Sequence, residues 1–112
     1  MQNEELIEFV KETLDDRKAR DITVLDVRDK SSVTDYMIIA SGTSNRHVKS
    51  VAEHVLVEVK KAGVEPMGVE GMNASEWALV DLGDVIVHVM QPDARALYDL
   101  ERLWGEDAAA EA

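Results

Sequence analysis

The sequence predicts an α/β (α+β) domain in which a mixed five-stranded sheet is flanked by helices. Three observations lead there. Helical and strand periodicities alternate in the order α, β, β, α, β, β, β, α, which places helices against a sheet rather than in a separate bundle. Two of the strand segments are near-continuous apolar runs, as strands covered on both faces require. The chain has 112 residues, enough for one modest hydrophobic core and too few for two.

The elements follow in order. Asn3 is placed to cap a helix whose first turn carries Glu4 and Glu5, and Leu6, Ile7, Val10 and Leu14 recur at helical spacing to about Arg17. "DITVLDV" (21 to 27) and "DYMIIAS" (35 to 41) read as strands buried on two sides or nearly so, joined by the polar "RDKSSVT". A second helix starts at a Ser44 or Asn45 cap and carries Val48, Val51, Ala52, Val55 and Val59 on one face. Gly63 closes it in the position after the last turn. "VEPMGVEGM" (64 to 72) suggests a short edge strand interrupted by Pro66 and bounded by Gly71.

"SEWALVD" and "DVIVHVM" around "LG" spell a hairpin. If Val80 pairs with Val85, Trp77 lies opposite His88, and both share a face with Leu79, Ile86 and Met90. Ala78, Val80, Val85, Val87 and Val89 form the other face, the better core candidate. The Trp77 face is either covered by the first or last helix or left partly open as a docking patch; Trp is the residue most enriched in interface hot spots. Pro92 stops the last strand, and a third helix is expected from about Asp93 to Trp104. At 100° per residue, Ala96, Leu97, Leu100, Leu103 and Trp104 form its buried stripe, while Tyr98 falls off that stripe near Glu101 and Arg102. Residues 1 to 104 thus make one domain, and "GEDAAAEA" (105 to 112) reads as a disordered acidic tail.

Composition narrows the function. Twelve basic against twenty-three acidic residues give a formal charge of −11, which repels phosphate backbones and argues against sequence-specific nucleic-acid binding. With no cysteine, thiol catalysis, disulfides and thiolate metal sites are excluded. Neither a signal-like nor a membrane-spanning apolar run is present, so a cytoplasmic location is expected.

Candidate chemistry is sparse. "SGTSNRHV" sets a glycine turn between a strand and a helix start, which can cradle an anion, yet it lacks the glycine spacing of dinucleotide loops and the lysine of P-loops. A diverged nucleotidyltransferase would use this turn for phosphate and Asp81 or Asp84 for metal, but no Asp-x-Asp follows on a strand. His47 and His54 stand two helical turns apart, too far to share a metal, which leaves them solvated or capping roles, and no Ser-His-Asp set can be assembled.

Taken together, "ARDITVLDV", "DYMIIASGTSNRHV", "VEG" with the later "W", "LVDLGDVIVHV" and "ARALYDLERLW" resemble, in order and spacing, the ribosomal silencing factor family (Iojap-like, also RsfS or YbeB), from about Ala19 to Trp104. The resemblance implies a nucleotidyltransferase-like fold without the catalytic carboxylates, no enzymatic reaction, no cofactor and no metal. It implies a translational repressor that binds the large ribosomal subunit through its ribosomal protein fourteen and keeps the small subunit from joining when nutrients are scarce. It also implies homodimers when free, and a branch that serves as a large-subunit assembly factor. Matched residue by residue, its partner-binding elements fall on Trp77, Asp81, Leu82, His88, Met90, Arg95, Tyr98, Glu101 and Trp104. Trp77 and Trp104 would be the apolar anchors, and Asp81 and Glu101 would meet Lys or Arg on a basic protein platform.

Overall fold

The computed structural model describes residues 2 to 73 and 76 to 104. Within them the elements are α1 (Asn3–Asp16), β1 (Arg20–Asp26), β2 (Tyr36–Ser41), α2 (Asn45–Lys61), β3 (Gly68–Glu70), β4 (Trp77–Asp81), β5 (Val85–Met90), α3 (Pro92–Tyr98) and α4 (Leu100–Trp104). The strands form one sheet in the order β1-β2-β5-β4-β3. It is mixed, because β2 and β5 run parallel at its centre while the outer pairs are antiparallel. The expected tail, 105 to 112, and Ser75 of the expected hairpin lie outside the described residues.

The apolar periodicities decide which face each helix buries. Leu6, Ile7, Val10 and Leu14 of α1 and the five small apolar residues of α2 lie on the same side of the sheet, against Ile38, Ala78, Val80, Val87 and Val89. Ser44 caps α2 by accepting the His47 N–H at 3.1 Å. Gly63 ends it with φ +89, a left-handed conformation that costs an L side chain energy and glycine nothing. The α1 cap differs from expectation: it is Gln2, whose N–H reaches Glu5 Oε1 at 3.5 Å, with Asn3 already inside the helix.

Three further expectations are corrected. The strand at 21 to 27 is a sheet edge with most residues exposed or half-buried, not a strand covered on both faces. Its backbone is irregular between Arg20 and Thr23, with Asp21 at φ +51; such bulges blunt an edge against further pairing. The hairpin register is offset by two residues: Val80 pairs with Val87, and Trp77 with Met90. The turn has moved one residue along, from Leu82 and Gly83 to Gly83 and Asp84: Gly83 takes φ +91 and Leu82 N–H bonds the Val85 carbonyl at 2.9 Å. An offset of two preserves the alternation of faces, so the predicted grouping of side chains stands.

The third correction concerns the C-terminal helix, which breaks at Asp99 (φ +47) into α3 and α4. Asp tolerates the left-handed region better than most residues. The break rotates α4 out of line and dissolves the expected leucine stripe. Leu97 is 78% and Leu103 63% exposed, Ala96 is exposed as well, and only Leu100 of the set packs towards the sheet.

Candidate partner-binding face

One face of the sheet carries α1 and α2; among the described residues the other carries only the two short C-terminal helices. Beneath them Ile39, Met90 and Ala94 form a small second core, with Leu25, Trp77 and Leu100 at its margin. Trp77 and Leu79 of β4 and Ile86, His88 and Met90 of β5 all project to this side, as alternation along two paired strands dictates. Trp77 links the strands to α3. Its ring packs against Tyr98 of α3 at 4.6 Å between centroids and against His88 at 5.8 Å, both tilted.

Trp77 Nε1 donates to His88 Nδ1 at 3.0 Å, which places the imidazole proton on Nε2. That Nε2 is buried and has no hydrogen-bond partner among the described residues. Burial pushes the His88 pKa down to about 4, so the ring is neutral at physiological pH. An unsatisfied buried donor costs about 1–3 kcal/mol.

α3 and α4 are fastened by Arg95. Its guanidinium grips Glu101 through two bonds at 2.8 and 3.0 Å, and reaches Ser41 Oγ at 2.7 Å and Thr23 Oγ1 at 3.1 Å. These hydrogen bonds hold the Glu101 carboxyl below the usual range. Lys30 Nζ adds a bond to the Trp104 carbonyl at 3.2 Å. Thus a planar fork ties the broken helix to β1 and β2 across the sheet.

Two glycines of the sequence motifs have steric reasons. At Gly71 (φ +79) a Cβ would lie 2.0 Å from the Trp77 carbonyl oxygen, so "VEG" and the later Trp belong to one close approach. At Gly42 a Cβ would meet Val48 Cγ2 at 2.7 Å, so the strand-to-helix turn sits directly on α2. In that turn Thr43 N–H donates to His47 Nδ1 at 2.8 Å, and His47 Nε2 in turn donates to the Arg17 carbonyl at 2.7 Å. This gives His47 a capping role and occupies one amide that an anion cradle would need.

The candidate residues therefore divide by position. Trp77, Tyr98, Glu101 and Trp104 are half-buried or exposed on or beside one surface. Asp81 shares the Trp77 side of β4, with Oδ1 accepting the Gly83 N–H at 2.8 Å in the hairpin turn. His88 and Arg95 lie underneath, holding Trp77 and α4 in place. Leu82 and Met90 present no surface in this conformation: Leu82 is 8% exposed in the core beneath α1 and α2, and Met90 is fully buried under α3. Glu101 is already engaged by Arg95 rather than extended to solvent alone.

The sequence reading missed the most exposed apolar residues here, Leu97 and Leu103. The signal was Asp99 at the middle of "LYDLE", a residue whose left-handed tolerance breaks the 100° projection. Also missed was a hollow of about 330 Å³ on the far side of Trp77, lined by Glu70, Gly71 and Leu79. Among the described residues no three His, Asp or Glu side chains are placed to hold a metal, and no helix is long and apolar enough to cross a membrane.

Comparison with known proteins gives a consistent result. A family model described as "Ribosomal silencing factor during starvation" matches residues 1–112. A Haemophilus influenzae protein named ribosomal silencing factor RsfS is 56% identical over 99 residues, covering 88% of this chain and 97% of that one. The crystal structure of a Chromobacterium violaceum protein superimposes with a TM-score of 0.92 at 47% identity, covering 95% of this chain and 89% of that one. A mouse protein named for mitochondrial assembly of the ribosomal large subunit is 37% identical over 88% of this chain and 44% of its own length.

Proposed function

The chain belongs to the ribosomal silencing factor family, and from that premise we propose that it is a cytoplasmic translational repressor acting by steric block. It binds the large ribosomal subunit through ribosomal protein fourteen and keeps the small subunit from joining under nutrient limitation. Nothing is transformed, so neither cofactor nor metal is required.

One observation carries the reading: Leu97, Tyr98 and Leu103 are exposed on α3 and α4, on the sheet face that lacks α1 and α2, and Tyr98 packs on the half-buried Trp77. Apolar side chains gathered at one end of a small, highly charged protein mark a contact surface rather than idle solvent surface. The charge of −11 agrees with a basic protein platform, because an approach over bare RNA would be repelled. Asp81 keeps a second carboxylate oxygen for a basic group on that platform. In the free protein the same apolar surface is covered by a second copy, giving a homodimer that must part before docking.

Co-sedimentation with purified large subunits tests this with Trp77→Ala and Tyr98→Ala proteins that remain folded by circular dichroism. Both are expected to stay in the supernatant; pelleting of both at the wild-type level overturns the assignment of this face.

The name of the mouse relative favours a second reading, assembly of the large subunit. Timing separates the two. A silencer associates with mature free subunits, an assembly factor with immature particles.

A further inference from the structure

A groove lies away from the Trp77 ring, along α2. It has a volume of about 950 Å³ and runs along the exposed side of α2. Arg17, Arg46, Lys49 and Lys61 line it with Glu53 and Glu58, a local balance of +2 on a chain whose total is −11. Such a reversal of sign is a feature of position, since the remaining surface is more acidic than the whole.

The fold assembles this cluster from two helices. Arg46 and Lys49 are three apart on α2 and so project side by side. Arg17 comes from the end of α1, and the bond from His47 Nε2 to its carbonyl holds it against the first turn of α2. Arg17, Arg46 and Lys49 have no ion pair or hydrogen bond from their side chains among the described residues, whereas Glu58 is engaged by Lys61 at 3.1 Å. Asp16, the nearest other carboxylate of α1, is directed to His54 at 3.4 Å. Three cations thus line the groove without an ion pair among the described residues, and of its two lining carboxylates Glu53 and Glu58 the second is taken up by Lys61.

What such a surface binds follows from its chemistry. No Trp, Tyr or Phe lines the groove, and its one imidazole, His54, is engaged by Asp16, so a broad platform on which bases could stack is lacking. Guanidinium and ammonium groups beside Asn45 and Ser50 suit phosphate oxygens, which Arg meets with two parallel donors. The groove also opens at the rim of the contact face, because the Asn45 side chain bonds Gln91, the residue that caps α3.

We infer that this groove receives the phosphate backbone of ribosomal RNA bordering the protein platform, an inference that rests on the proposed docking to the large subunit. The apolar face binds protein and the groove binds the adjoining RNA without reading its sequence. The acidity of the rest of the chain then works as a filter, disfavouring RNA everywhere except where the platform fixes the orientation.

The test is equilibrium binding to purified large subunits between 50 and 200 mM salt, comparing wild type with the exposed double variant Arg46→Glu, Lys49→Glu. Loss of two phosphate contacts should weaken binding at least about tenfold at the low-salt end and make the slope of log affinity against log salt shallower by about 1.5. Affinity for isolated ribosomal protein fourteen should be the same for both proteins. Unchanged affinity and slope on the subunit overturn the inference, and so does an equal loss towards the isolated protein, which would put an acidic protein surface in the groove. Failure of the wild type itself to bind subunits rejects the docking reading, and the groove assignment falls with it.

Discussion

The two faces of the sheet are built differently. Under α1 and α2 the contacts are aliphatic and complete: Leu14, Val48, Val51, Val55, Val59, Val80 and Val87 are all fully buried. On the other face two short helices of seven and five residues, held by Arg95 of α3, cover Trp77 and His88 of the sheet, and a buried imidazole nitrogen has no hydrogen-bond partner among the described residues. The first arrangement maximises burial, which is what stabilises a small domain. The second leaves apolar side chains in water and a polar group unsatisfied, which a domain tolerates where another molecule completes the packing. The aliphatic core and the apolar contact surface are therefore separated by the plane of the sheet.

That separation can be broken at several points. Leu14→Ala, in the helix-covered core, should lower unfolding free energy by about 2–5 kcal/mol in urea denaturation, because a close-packed site cannot collapse around the lost atoms. An effect below about 1 kcal/mol would mean that the aliphatic core is looser than the burial implies.

His88 supplies a smaller, pH-dependent effect on the other face. Its folded pKa lies near 4 and its ordinary value is 6.5, so between these the unfolded chain binds the extra proton and stability rises with pH. About 3 kcal/mol is present above pH 6.5 and is lost as pH falls towards 4. His88→Gln keeps an acceptor for the Trp77 indole and cannot titrate, so its stability profile should be flatter across that window in denaturation series at fixed pH. An identical profile would show that the imidazole is not held neutral by burial.

Arg95→Met should cost roughly 1–2 kcal/mol, because it removes the donors shared by Glu101, Ser41 and Thr23. The loss should be local: amide exchange in α4 accelerates while that of α2 is unchanged. Equal acceleration in both helices would make Arg95 part of the main core rather than the fastening of the C-terminal segment. Smallest of all, Tyr98→Ala should change stability by less than about 1 kcal/mol, since half of the side chain is already in water.

How much of this was legible in the sequence depended on how local each determinant is. The α2 stripe from Val48 to Val59 and its Ser44 and Gly63 boundaries were readable, because spacing and capping act within one helix. The division of the hairpin into a valine side and a Trp77 side was also readable, since alternation survives an offset of two. The register itself was not, because it depends on whether Gly83 takes the second or the first place of a two-residue turn. The expectation for residues 21 to 27 failed for a different reason: apolar β-branched residues mark a strand but do not say whether a neighbour covers its outer edge. Most instructive is the C-terminal segment. One φ angle at Asp99 turned a continuous leucine stripe into an exposed patch, and the groups that hold the break in place, Ser41 and Thr23, are 54 and 72 residues away from Arg95.

The central claim is that the face of Trp77 and Tyr98 binds the ribosomal protein and that the core under α1 and α2 supplies the stability. Calorimetric titration of isolated ribosomal protein fourteen with wild type, Tyr98→Ala and Leu97→Ser tests it most directly, with melting temperature recorded for each. Loss of roughly tenfold or more in affinity at unchanged melting temperature is the predicted result. Wild-type affinity in both variants would contradict the account.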